Sequence, residues 1–140
     1  MSTFTPTQPQ TLPDSAWVPA TIEALVERRD ALAGRLGDAG WSGEEAFGVI
    51  TAATEAVANA VRHGSLPGAE VAVAFRVTEQ SAEVAVLDRG GPGSFEGSAP
   101  AVPENAESGR GLMLMRGLAD RLGICPAGAG TFVLMEFSRA

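Results

Sequence analysis

Thr51-Ala52-Ala53-Thr54-Glu55-Ala56-Val57-Ala58-Asn59-Ala60-Val61-Arg62-His63-Gly64 is the stretch on which the fold turns. It has the spacing of an amphipathic helix. At about 100° per residue, Phe47, Ile50, Thr54, Val57 and Val61 fall on one side, which predicts an apolar stripe for packing on a core. Glu55, Asn59 and His63 follow one another at i, i+4 and i+8 on a different face. That face holds a carboxylate and an amide among the small residues Thr51, Ala52 and Ala56, so a ligand lying along the helix would meet both. The same pair also fits a plain solvated face, with the alanines present for helix propensity.

The start of this helix is marked by Ser42, Glu44 and Glu45. Ser42 is placed as N-cap with Glu45 at the third helical position, and Gly64 is the stop. Trp41 just before it is expected in the core or as a staple. Further upstream, Ile22, Leu25, Val26, Leu32 and Leu36 predict an amphipathic helix between about Ala20 and Ala39, ended by Gly37 and Gly40. Residues 1–19 are rich in Thr, Pro and Gln and read as an extended arm with at most one edge strand, leaving residues 20–140 as a single domain.

Downstream the period changes to two. Val71, Val73, Phe75 and Val77 alternate with Ala72, Ala74 and Arg76, a half-buried strand over Glu70 to Val77. After a polar turn at Thr78 to Ala82, a second strand runs from Glu83 to Leu87, and the hairpin ends in Asp88. Asp88-Arg89-Gly90-Gly91-Pro92-Gly93 cannot continue a strand, and Ser94 to Ser108 is a long polar loop of the kind that carries function. Gly109-Arg110-Gly111 then opens a helix whose expected buried stripe is Leu112, Met115, Ala119 and Leu122. A last strand is predicted over Thr131 to Phe137.

Composition narrows the chemistry. The 140 residues are 45% hydrophobic with a formal charge of −7, and all ten basic residues are arginine. Without lysine there is no P-loop lysine and no Schiff base. The negative charge argues against nucleic acid as the main partner and permits a basic protein. The single Cys125 cannot form an internal disulfide, and one His with one Cys falls short of the usual zinc ligand count. No apolar run of membrane-spanning length and no signal segment is visible, so the expected location is the cytoplasm.

Glycine lets a backbone approach a ligand closely, and a helix N-terminus offers unpaired N–H groups to an anion. The order of parts is therefore informative: a helix with Glu and Asn, a hairpin ending in Asp-x-Gly, a loop, Gly-x-Gly opening a helix, and Gly130-Thr131 opening a strand. Over roughly residues 20–138 the chain resembles the GHKL ATP-binding superfamily, and within it the anti-sigma-factor serine kinases. The resemblance implies a Bergerat-type fold of class α+β, a two-layer α/β sandwich. Its mixed, mainly antiparallel sheet would be covered on one face by three main helices.

By that resemblance Asn59 helps hold Mg²⁺ against the phosphates of ATP, and Glu55 is the base on the attacking hydroxyl. Asp88 accepts a hydrogen bond from the adenine amino group. Gly109, Arg110, Gly111 and Leu112 belong to the phosphate-binding lid, Thr131 lines the adenine pocket, and Arg29, rather than Arg28, reaches the phosphates. The family pattern Asp-x-Gly-x-Gly is one residue longer here, which leaves the roles of Gly90, Gly91 and Gly93 open between two alignments. His63 is expected to cap the helix end or to pack.

The resemblance further implies an anti-sigma factor that phosphorylates an anti-sigma-factor antagonist and otherwise holds a sigma factor, acting as a homodimer. The rival from another class is a catalytically inactive ATP-binding module that works by protein binding alone. A detached histidine-kinase catalytic domain is supported less well, because no separate helical segment bears a phosphoacceptor histidine.

Overall fold

A computed structural model describes residues 12–64, 70–88, 107–127 and 130–139. The elements run β1 (Asp14–Pro19), α1 (Ile22–Asp38), α2 (Gly43–Gly64), β2 (Glu70–Val77), β3 (Ser81–Asp88), α3 (Glu107–Leu118), β4 (Arg121–Ala127) and β5 (Gly130–Ser138). The five strands form one sheet in the order β1-β2-β3-β5-β4. Every neighbouring pair is antiparallel. Helices on one face of a sheet make the expected two-layer sandwich, with a sheet that is antiparallel throughout. No described helix is long and apolar enough to cross a membrane.

The main core lies between the helices and the inward face of the sheet. Val71, Val73 and Phe75 of β2, Ala82, Val84 and Val86 of β3, and Val133, Met135 and Phe137 of β5 meet Leu32 and Leu36 of α1 and Met115 of α3. These are the alternate positions that the period-two pattern places on one face.

The core-facing side of α2 differs from the expected stripe. Val49, Ala52, Ala53, Ala56 and Ala60 are the buried positions, whereas Phe47 is 70% exposed and Thr54 is exposed. Ile50, Val57 and Val61 are half-buried along the flank. Alanine lets a helix axis come close to a sheet, so a central helix between two others is selected for small size rather than for hydrophobicity. Ala52 and Ala56 thus make room for the sheet, and not for a ligand as their position beside Glu55 suggests.

Local signals fixed the start of α2 well. The Ser42 side chain accepts from the Glu45 amide and Glu45 accepts from the Ser42 amide, both at 3.1 Å. This closes the capping box and satisfies two helix-end donors. The Ser42 amide, with its hydroxyl and Arg139 in support, holds the Glu45 carboxyl below its ordinary value. Trp41 is buried behind the cap, donating from Nε1 to the Thr78 carbonyl at 2.8 Å, with the Arg139 guanidinium 5.4 Å from its ring centre.

Three further expectations change. Ile22, placed in the α1 stripe, is 79% exposed at the first position of the helix. The helix after Gly109-Arg110-Gly111 begins at Glu107 and stops at Leu118, so Leu122 belongs to β4, opposite Met135. The chain at Arg121 to Ala127, for which no strand was expected, is an edge strand. The edge strand foreseen within the arm is β1, which pairs with β2 from Asp14 opposite Phe75 to Pro19 opposite Glu70.

Candidate nucleotide site

Two ends of the sheet can be told apart by the register. At one end lie the hairpin turn at Thr78 to Ser81, the start of α2 and the end of α3. At the other, Val71 of β2 faces Asp88 of β3, and Asp88 faces Thr131 of β5. Since α2 runs from the hairpin end toward Glu70, its second half, with Asn59, approaches the Asp88 end. Helix α3 runs the opposite way: Leu118 lies where a side chain on Gly48 of α2 would touch it at 3.8 Å, and Arg121 starts β4 opposite Glu136. The N-terminus of α3 therefore points to the Asp88 end too.

Asp88 is the one buried polar side chain among the described residues, 5% exposed. It continues the inward set Ala82, Val84 and Val86, so it faces the helix layer at the last position of β3. Burying a carboxylate is costly unless it is hydrogen-bonded, and a protein interior keeps one where it has a task or a network. An acceptor held here can receive the exocyclic amine of adenine and finds no matching donor on the guanine carbonyl.

Glu55 and Asn59 stand one turn apart on α2, both half-buried, at roughly 80–120° from the middle of the alanine face by helical geometry. They line the flank of α2 that turns toward α3, the side where Gly48 meets Leu118. Asn59 has interactions of its own within the chain. A carboxylate and an amide oxygen on the wall between two helices, above a sheet end with a buried acceptor, suit a nucleotide whose purine sits at Asp88. Among the described residues no three His, Cys, Asp or Glu side chains cluster as a metal site. Mg²⁺ fits such a donor set only as the partner of phosphate oxygens and waters, with Asn59 as a protein ligand.

Arg28 and Arg29 have opposite fates. Arg28 turns into the protein, donating to Asp14 Oδ1 at 2.9 Å and to the Val73 carbonyl at 2.8 Å, with its guanidinium 4.9 Å from the Phe75 ring centre. Arg29 is half-exposed, with only a 3.7 Å ion pair to Asp30. Of the two, Arg29 is the one whose side chain faces solvent.

Gly109, Arg110, Gly111 and Leu112 lie in the first half of α3, and Thr131 lies in β5; only their backbone is described. Gly90, Gly91 and Gly93 lie outside the described residues, as do residues 94–106 of the loop expected from Ser94 to Ser108, whose last two residues belong to α3, and the His63 side chain is not described. A cavity of about 220 Å³ at the hairpin end is lined by Trp41, Gly48, Val49, Leu118 and Phe137 among others. It includes none of the nucleotide-site residues expected from the sequence and lies away from Asp88.

Comparison with known proteins places the chain in a family and a fold. The chain is 34% identical over 131 residues to the serine-protein kinase RsbW of Bacillus pumilus (strain SAFR-032), covering 84% of this chain and 80% of that one. Among solved structures it superposes on the RsbU and RsbW domains of Rv1364c from Mycobacterium tuberculosis with a TM-score of 0.61 at 22% identity. That match covers 89% of this chain and 31% of the other, so this chain spans about a third of that protein. It also superposes on the histidine kinase AdeS of Acinetobacter baumannii with a TM-score of 0.50 at 14% identity, covering 88% of this chain and 67% of the other. Both superpositions speak to the fold alone. Residues 18–137 match the histidine kinase-like ATPase domain, and the chain belongs to that family.

Proposed function

We propose that this protein is a cytoplasmic, homodimeric anti-sigma factor that binds Mg·ATP and transfers phosphate to a serine of an anti-sigma-factor antagonist. The observation that carries the reading is Asp88. It is a buried carboxylate on the helix-facing side of the sheet, in register with Thr131, at the end toward which Asn59 and the start of α3 both point. The 34% identity to a serine-protein kinase supports the same chemistry.

In this reading Asp88 accepts from the adenine amine and fixes the base. The N–H groups at the start of α3 face the phosphates, where the positive end of the helix dipole favours an anion. Asn59 would hold Mg²⁺, which supplies neutralisation of phosphate charge when bound. Glu55 accepts the proton of the substrate serine hydroxyl as its oxygen bonds to the γ-phosphorus, and ADP leaves with the electrons of the broken bond. Phosphoryl transfer needs mainly positioning and charge neutralisation, so one base beside one metal ligand suffices.

The test compares wild type with Glu55→Ala and Asn59→Ala, using radiolabelled ATP and a panel of antagonist domains. Asn59→Ala is expected to abolish Mg²⁺-dependent nucleotide binding. Glu55→Ala should retain nucleotide and sigma-factor binding while transfer falls by roughly 10²–10⁴, the range for losing a positioned general base. A wild type that binds its authentic antagonist and ATP but transfers nothing would leave a binding module in place of a kinase.

A further inference from the structure

The cavity of about 220 Å³ at the hairpin end opens where three elements begin or finish: the first turns of α2, the end of α3 and the end of β5. Trp41 and Phe137 are its buried aromatic walls. Its mouth lies in the seam between α2 and α3, where Gly48 leaves room: a Cβ there would stand 3.8 Å from Leu118 Cδ2, an ordinary contact. Alanine would fit and would serve the helix better, so packing does not call for glycine here. The bare position keeps the seam open.

The surface around the mouth is apolar. Phe47 of α2 is 70% exposed, and Leu114 and Leu118, one turn apart on α3, are 40% and 37% exposed. A lone exposed side chain of this size is ordinary, but three on two adjoining helices make a patch of the kind that meets another protein. The charge beside them has one sign. Glu44, Glu45 and Asp120 line the cavity, and no basic residue does. Arg139 answers Glu45. Glu44 and Asp120 are exposed, and among the described residues neither has a cation paired with it.

We propose that this groove docks a basic segment of a partner protein. One large apolar side chain enters between Gly48 and Leu118, and an arginine or lysine beside it pairs with Glu44 and Asp120. The cavity is smaller than the roughly 300–1,000 Å³ of small-molecule sites, so it takes a side chain or two and not a cofactor. Its acidic mouth repels the phosphates of nucleic acid or of an anionic membrane. It also disfavours a second copy, which would bring a chain of net charge −7. Toward a basic segment the same carboxylates steer the encounter and fix register, while the apolar anchor supplies the hold. The groove is about 24 Å from Asp88 along β3, so the segment and a nucleotide bind at once. The docking therefore stands whether or not the protein transfers phosphate.

The experiment is NMR on the full, isotope-labelled chain titrated with three synthetic helical peptides. The first carries leucines on one face and arginines on the other, the second has glutamates for the arginines, and the third has serines for the leucines. The first is expected to shift the amides of Gly48, Leu118 and Ser138 saturably and to bind several-fold more tightly than the others. Its affinity should fall several-fold as salt shortens the Debye length from about 30 to 8 Å, and again in Glu44→Gln. Phe47→Ala removes an anchor at the rim and Gly48→Met fills the seam; both should weaken binding while circular dichroism shows an unchanged fold. Saturating Mg·ATP should leave the affinity as it was. No shift at the groove, equal binding of the acidic peptide, folded variants that bind like wild type, or competition with Mg·ATP would each overturn the proposal. Shifts at the same amides that follow protein concentration without peptide would also overturn it, making a second copy the occupant.

Discussion

Arg28 of α1 and Asp14 of β1 meet at 2.9 Å, and the same guanidinium reaches the Val73 carbonyl of β2. One side chain thereby ties a helix to two neighbouring strands. Removing it leaves a part-buried carboxylate and a carbonyl without their donor. Arg28→Ala is expected to destabilise by about 2–3 kcal/mol, somewhat less than the 3–5 typical of a broken, fully buried pair, because Asp14 keeps some contact with water. Denaturant unfolding measures it. A loss under about 0.5 kcal/mol would class the contact with surface pairs.

The neighbouring substitution should behave in reverse. Arg29→Ala is expected to leave stability within about 0.5 kcal/mol, since the side chain is half-exposed. It should weaken ATP but not adenosine, because only the phosphates lose a charge-assisted partner. Calorimetry with both ligands separates the cases, and equal weakening would remove Arg29 from the phosphates.

Asp88→Asn keeps the shape of the side chain and loses its charge. ATP affinity is expected to fall about 10–100-fold, the value of a hydrogen bond to a charged group, with GTP affected less. An unchanged preference for ATP over GTP in calorimetry would take the base-reading role away from Asp88.

The capping box gives a pH dependence with a definite sign. The Glu45 carboxyl is held below its ordinary value of 4.5, chiefly by the Ser42 amide, so its stabilisation is fully present above that value. It is lost as pH falls through the lowered folded-state value. Glu45→Gln should flatten the acid side of the stability profile. Ser42→Ala should cost about 0.5–2 kcal/mol at neutral pH. An acid limb of unchanged steepness in Glu45→Gln would show that other carboxylates set it.

How much of this could be read from the chain follows from what each signal measures. Capping and strand alternation are local and backbone-determined, so Ser42, Glu45 and the inward set of β2 were legible residue by residue. The buried face of α2 was not, because hydrophobic periodicity weights Phe47 and Val57 above alanine, while the packing of a central helix on a sheet favours Ala52, Ala53, Ala56 and Ala60. Strand β4 was hidden by Gly123 and Pro126, which read as breakers yet are tolerated on an edge. Glu55, Asn59 and Asp88 were singled out through motif order. That the second half of α2 runs toward the Asp88 end depends on the direction of α2 against the sheet, which no single stretch encodes.

A stability test follows from that misread face. Phe47→Ala should change stability by no more than about 0.5 kcal/mol despite the size of the ring, because it is mostly in water. Ala56→Leu should cost about 1–3 kcal/mol through overpacking against the sheet. Thermal unfolding of the two variants decides between the faces, and the opposite order would restore the periodicity reading.

The pairing of β1 with β2 also sets an order of events during synthesis. Strand β1 is the first described element to leave the ribosome, yet its partner begins at Glu70, after two whole helices. Closing a contact over so long a separation is slow compared with forming helices. The β2–β3 hairpin, with a short turn, should be in place before β1 arrives. The nascent chain therefore carries Trp17 and Val18 unpaired until β2 has been made, and the earliest-made strand is the one whose docking waits longest.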